Sequence, residues 1–382
     1  MRIKSKKILF LTGTRADFGK LKPLMLSLQK NKRFKVDIFV TGMHMLEKYG
    51  ETHLEIDKSK LKNIHKFVNQ SYLDKMDSIF AKTISGFSDY VRETKPDMIV
   101  VHGDRVEALA AATVGALNNI KVAHIEGGEV SGTVDELIRH AVTKMANIHF
   151  VANNQAHRRL VQLGEQKDTI HTIGSPDIDV MQSDNIPDIR EVRRRYRIPF
   201  NRYGILCFHP VTSELDQLPI QIKCVIDSLL ESEKNYIVIY PNNDNGSDDI
   251  FREYKRLYKN PKFRIIPSMR FEYFLSALKK AQFIIGNSSA GIREAPHYGI
   301  PTINIGSRQL NRANCHSIIN VDFNFKKILS AVHASLKIKK KPVKMFGSGG
   351  ATNKFKNILE KKNIWIKSNQ KQFKDRYIKF GK

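Results

Sequence analysis

Three observations predict an α/β protein made of two Rossmann-like, doubly wound domains facing a cleft. Short apolar runs recur at the spacing of parallel strands, and amphipathic stretches separate them. The whole series occurs twice, with a proline-bearing segment between the two rounds. A length of 382 residues suits two domains of ordinary size, and an apolar content of 41% is enough to fill two cores.

In the first round the apolar runs are residues 8–11, 36–40, 98–101, 122–125, 148–151 and 170–173. Amphipathic stretches such as 105–117 and 134–146 supply helices between them. Residues 175–199 carry Pro176, Pro187 and Pro199 and read as the hinge. The second round has runs at 204–208, 236–240, 263–266, 283–285 and 302–305. The expected division is therefore 1–175 for the first domain, 176–352 for the second, and 353–382 for a C-terminal helix crossing back to the first. Two such domains with a cleft between them form the GT-B architecture. Ligands of doubly wound sheets sit at the carboxyl ends of the strands, so the residues just past each run are the ones to examine.

Composition excludes several classes. Lysine and arginine total 64 against 38 acidic residues, a formal charge of +26. The lysines gather mainly at 337–341 and 361–382, with no zinc-finger spacing, RNP-type aromatic motif or basic zipper. They read as solvated helix faces, and no nucleic-acid partner is expected. No apolar run approaches the roughly 20 residues of a membrane span. The basic start (Arg2, Lys4, Lys6, Lys7) precedes an apolar stretch too short for a signal peptide, and Thr12-Gly13-Thr14-Arg15 is no cleavage site. A cytoplasmic enzyme with no membrane partner is expected. Cys207, Cys224 and Cys315 are far apart and lack metal-knuckle spacing, so they read as reduced thiols.

The strand ends carry the chemistry. Thr12-Gly13-Thr14-Arg15 follows the first run, where glycine allows a tight turn and the next helix offers N–H groups to an anion. His102-Gly103-Asp104-Arg105 follows the third run and Glu126-Gly127-Gly128-Glu129 the fourth. Carboxylates at adjacent strand ends, Asp104 and Glu126, are expected to raise the pKa of one of the two and suit acid–base work. Asp135 and Arg139 lie four apart on one helix face, the spacing of an ordinary salt bridge, and either that pair or a cleft role fits them. In the second half His209-Pro210 and Tyr240-Pro241-Asn242 end two more strands, with Pro210 leaving His209 facing the cleft. Residues 285–294, Ile-Gly-Asn-Ser-Ser-Ala-Gly-Ile-Arg-Glu, read as strand, turn and helix. Ser288 and Ser289 at the positive end of that helix suit a diphosphate, although a plain serine cap reads the same way. Glu294, about one turn on, suits two ribose hydroxyls, and Arg308 and Arg312 suit the same phosphates.

Taken together, GTRADFGKLKPL, VTGMH, HGDR, HIEGGEVSGTVDELIRHAVTK, IGSPD, FHPVT, YPNND, GNSSAGIREAP and NIGSRQLNR resemble the hydrolysing UDP-N-acetylglucosamine 2-epimerases. The likeness is to bacterial sialic-acid pathway enzymes and to the epimerase half of the vertebrate bifunctional epimerase/kinase, and it runs from about residue 8 to 319. The HIEGGEVSGT stretch separates it from the non-hydrolysing branch. The resemblance implies a UDP-sugar substrate, anti elimination of UDP to 2-acetamidoglucal, then syn hydration to N-acetylmannosamine. It implies catalytic Asp104, Glu126 and Asp135, with His209 beside the diphosphate. It implies UDP and sugar binding by Arg15, Arg105, Asn242, Ser288, Ser289, Glu294 and Arg308. No metal or other cofactor is implied, and a homodimer is. Two alternatives remain open, the same chemistry on UDP-2,4-diacetamido-trideoxyhexose and a GT-B glycosyltransferase.

Overall fold

The computed structural model describes residues 5–375. The first sheet contains β1 (Lys6–Thr12), β2 (Phe34–Val40), β3 (Ile64–Lys66), β4 (Met98–His102), β5 (Lys121–Ile125), β6 (Ile148–Val151) and β7 (Ile170–Thr172). All of its pairings are parallel, in the order β3-β2-β1-β4-β5-β6-β7. The second sheet contains β8 (Gly204–Cys207), β9 (Tyr236–Ile239), β10 (Phe263–Ile266), β11 (Phe283–Gly286), β12 (Thr302–Ile305) and β13 (Ile318–Val321). Its order, β10-β9-β8-β11-β12-β13, repeats the winding of the first. Both sheets reverse direction beside their opening strand, between β1 and β4 and between β8 and β11, which is where such sheets open a crevice. The structure has two GT-B-type parallel-sheet halves, as the sequence predicts.

Two strands escaped sequence reading, β3 and β13. Both lie at sheet edges and are half-exposed, so neither carries the solid apolar run of a buried parallel strand. The interior strands are built mainly of apolar residues and are almost wholly buried. Residues 351–366 form two short helices, Ala351–Leu359 and Lys362–Ile366, in place of one continuous helix. Phe355 meets Phe150 edge-on and Phe10 at a tilt, so this segment is packed into the first half's core. Residues 376–382, the last part of the lysine cluster, lie outside the described residues, as do Arg2 and Lys4. Among the described residues no helix is long and apolar enough to cross a membrane. Cys207, Cys224 and Cys315 are free thiols.

Candidate active site

The cleft between the two sheets is lined by all eleven residues singled out above. Asp104, Glu126, Asp135, Arg15 and Arg105 come from the first half, and His209, Asn242, Ser288, Ser289, Glu294 and Arg308 from the second. An apolar end, built by Ile239, Pro241, Met269 and Phe274, adjoins Asn242.

The turn after β1 differs from expectation. Thr14 caps the helix Arg15–Gln29 in a capping box with Asp17. The Asp17 carboxylate accepts the Gly13 N–H at 3.0 Å, the Thr14 N–H at 3.2 Å and the Thr12 hydroxyl. The Gly13 and Thr14 N–H groups are thus taken by Asp17, and the Asp17 N–H by Thr14 Oγ1, which leaves those of Arg15 and Ala16 as the first-turn groups for an anion. Arg15 remains in the cleft wall, donating to Glu55 at 2.6 Å and to Ser268.

Asp104 pairs with Arg139, whose Nη1 also donates to the Glu129 carbonyl at 3.2 Å. The i,i+4 pair of Asp135 with Arg139 is therefore not made. Asp135 instead accepts from Arg308 Nη2 at 2.9 Å, across the cleft. The same guanidinium donates from Nη1 to the Asn287 carbonyl at 3.2 Å. Arg308 therefore ties the acidic wall to the turn carrying Ser288 and Ser289. Gly132 fixes this approach, because its N–H donates to the Arg308 carbonyl at 3.0 Å and a Cβ there would collide with the Ser307 carbonyl. A glycine in GGEVSGT is thus a docking requirement between the halves.

Glu126 ends β5 with a left-handed backbone, φ 64°, a strained choice for a non-glycine residue. Its Oε1 accepts from Arg293 Nη2 at 2.6 Å and from the Ser175 hydroxyl, and its Oε2 lies 3.3 Å from Lys20 Nζ and 3.0 Å from His102 Nε2. Burial would raise this carboxyl, but Arg293, Lys20 and His102 outweigh burial and hold it well below the carboxylate range. The expectation of a raised pKa here is corrected, since cations and not Asp104 dominate its surroundings. Arg293, 2% exposed, also pairs with Glu129, lies 3.5 Å from Asp177 and stacks over Phe346. Arg312 joins Glu129 at 2.8 Å, so it serves that pair rather than an open phosphate position.

In the second half, Asn287 and His209 exchange two hydrogen bonds of 2.8 Å, joining the ends of β8 and β11. The Asn242 N–H donates to His209 Nδ1 at 3.0 Å. Burial pushes His209 down to about 3, so the imidazole is neutral, its Nδ1 accepts, and its Nε2 carries the proton. Asn242 donates through its side chain to Asp244, which with Asn243 also holds Arg105, at 3.2 and 3.0 Å. Ser288 caps only a 3-10 turn, Ser289–Gly291, followed by the five-residue helix Glu294–Tyr298. The long helix dipole expected there is absent, and the turn's contribution to an anion is its hydroxyls and N–H groups. Glu294 is buried with Oε2 unpartnered, and burial raises it to about 7 against the pull of Lys20.

Sequence reasoning missed Lys20, His102 and Arg293, and it did not find the Asp104 partner of Arg139. Each stands inside or beside a quoted motif, but its role depends on partners far along the chain. The cleft wall carries six Lys/Arg and five Asp/Glu side chains, so the net +26 is not concentrated there.

The model of the UDP-N-acetylglucosamine 2-epimerase family matches residues 26–360. A UDP-N-acetylglucosamine 2-epimerase of Neisseria meningitidis serogroup B is 46% identical over 97% of this chain and 99% of its own. A hydrolysing UDP-N,N'-diacetylbacillosamine 2-epimerase of Legionella pneumophila is 34% identical over 93% and 96%. Among solved structures, that of Methanocaldococcus jannaschii UDP-GlcNAc 2-epimerase in complex with UDP-GlcNAc and UDP superposes with a TM-score of 0.79 at 23% identity, covering 92% of this chain and 99% of that one. The family match and the near full-length identity together show that this chain belongs to the UDP-N-acetylglucosamine 2-epimerase family.

Proposed function

We propose that this protein is a hydrolysing UDP-N-acetylglucosamine 2-epimerase that converts UDP-GlcNAc and water to N-acetylmannosamine and UDP for sialic acid biosynthesis. The observation that carries the reading is Arg308, bonded at once to the anion-suited turn and to Asp135. The nucleoside rests against the apolar end beside Asn242, with Glu294 accepting ribose hydroxyls and Arg15 and Arg105 flanking it. The diphosphate sits between Ser288, Ser289, Arg308 and the Nε2–H of His209. The sugar then meets Asp104, Glu126 and Asp135.

The C2 hydrogen is not alpha to a carbonyl, so elimination proceeds with oxocarbenium character and depends on a stabilised leaving group. Each donor that tightens on the departing UDP contributes about 2–4 kcal/mol to the barrier. Those donors offset the diphosphate charge, so neither a metal nor a redox cofactor is part of the proposal. The protons are exchanged beside the acidic wall, where C2 loses one to leave the glycal and regains one as water adds to C1. The hydrolysing mode is supported by the HIEGGEVSGT stretch and by the Legionella relative's name. N-acetylglucosamine is supported by the higher identity to the Neisseria relative, 46% against 34%. A homodimer in the cytoplasm completes the proposal, and sedimentation of the purified protein checks the dimer.

The test is NMR of UDP-GlcNAc with the purified protein in deuterated water. UDP release with N-acetylmannosamine deuterated at C2 is expected. Transfer to an acceptor, or no deuterium at C2, would refute the reading. A kcat/KM higher for the 2,4-diacetamido-trideoxy sugar would reassign the substrate.

A further inference from the structure

Glu126 is badly placed to take a proton from carbon. A carboxylate offers about four lone-pair sites. Here Arg293 and the Ser175 hydroxyl take Oε1, while Lys20 and His102 flank Oε2. A general base works best with a pKa near the working pH, and this carboxyl is held well below that. It is a fixed anion, not an exchangeable one.

His102 is the group this anion faces. It is the last residue of β4, two residues before Asp104, and it lines the cleft with a side chain only 11% exposed. Its Nε2 lies 3.0 Å from Glu126 Oε2, and Nδ1 has no hydrogen-bond partner among the described residues. The Nε2–H is not aligned on that oxygen, an alignment that such pairs commonly reach only around a bound reactant. Asp17 and Lys20 are the other charged groups near it, and His124 behind it is kept neutral by burial, at about 3.

Resting on the epimerase reading, we propose that His102 is the base that removes the C2 proton, and that Glu126 is its positioning residue. In this role His102 directs Nε2–H at Glu126 and the Nδ1 lone pair at the sugar. The C2–H bond breaks and its proton goes to Nδ1. The electron pair becomes the C1=C2 bond, and the C1–O pair leaves on the β-phosphate of UDP. Glu126 stabilises the imidazolium, which loses its proton to water in the second step. The arrangement follows the logic of a histidine oriented by a buried carboxylate.

The test uses the full chain with His102→Gln, Glu126→Gln and the double variant, on UDP-GlcNAc carrying hydrogen or deuterium at C2. His102→Gln is expected to lower kcat by a factor on the order of 10²–10⁴, with KM within about threefold. Its isotope effect on kcat should be at least that of the parent. The double variant should fall no further than His102→Gln alone, as for residues acting as a unit. Glu126→Asp replaces Glu126→Gln if the latter does not fold. A His102→Gln kcat within about threefold of the parent, a loss confined to KM, or multiplicative losses in the double variant overturn the proposal. If the parent itself places no deuterium at C2 in deuterated water, the epimerase reading fails instead.

Discussion

Arg293 offers the sharpest test of how the two halves are joined. Replacing it with methionine keeps most of its volume and its contact with Phe346, but removes the cation shared by Glu126, Glu129 and Asp177. Breaking a buried ionic cluster from one side costs about 3–5 kcal/mol. An independent route gives a similar figure. The variant can relieve an uncompensated glutamate by protonating it, which at pH 7 costs about 3.4 kcal/mol from the ordinary value of 4.5. A loss of this size lowers Tm by roughly 6–20 °C for halves of this length. The sign with pH follows from the depressed carboxyls. Their stabilisation is present above the unfolded values, 4.5 for the two glutamates and 3.8 for Asp177, and is lost as pH falls through the lower folded values. The variant lacks most of that stabilisation, so its deficit should be largest at neutral pH and shrink below about pH 4.5. Thermal and urea unfolding of parent and Arg293→Met at pH 7 and at about pH 3.5, below the unfolded values, measure this. A deficit under about 1 kcal/mol at pH 7, or one that grows towards acid, would refute the reasoning.

Asp104→Asn should lower kcat by a factor on the order of 10²–10⁴ while UDP affinity holds, because Asp104 is partly exposed and touches only Arg139 among charged groups; near-normal turnover removes it from the mechanism. Arg308→Ala should weaken UDP binding and turnover together, since its two bonds reach the phosphate-suited turn and Asp135; an unchanged calorimetric Kd for UDP places it outside the site. UDP affinity should rise as pH increases through about 7, where Glu294 ionises and accepts hydroxyls better, and Glu294→Gln should flatten that dependence; a slope unchanged in the variant assigns it to another group.

What the sequence made legible was whatever topology alone positions. A parallel strand ends at the cleft whatever its neighbours are, so Asp104, Glu126, His209 and Ser288 follow from reading where each apolar run stops. The edge strands β3 and β13 were not legible because exposed, half-polar segments carry no buried-strand signature. Nor were the partners of the charged groups. Arg293 meets Glu129 and Arg308 meets Asp135 from 164 and 173 residues away, and no local periodicity encodes such distances. The local rule even pointed the wrong way, pairing Asp135 with Arg139 because they are four apart on one helix. Arg139 lies 1% exposed under Asp104, with its helix turned so that Asp135 is free to reach Arg308. That rotation decides the chemistry. If Arg139 held Asp135, Arg308 would lose its bond to the acidic wall, and leaving-group charge would have no direct route to Asp135. Because Arg308 bridges the two halves, negative charge growing on a departing diphosphate competes with Asp135 for the same guanidinium. In the proposed reaction an Asp135 so released is free to meet the water that adds to C1 in the second step. In the proposed reaction, leaving-group departure and the acidic wall are thus linked by a contact that only the folded pair of domains creates.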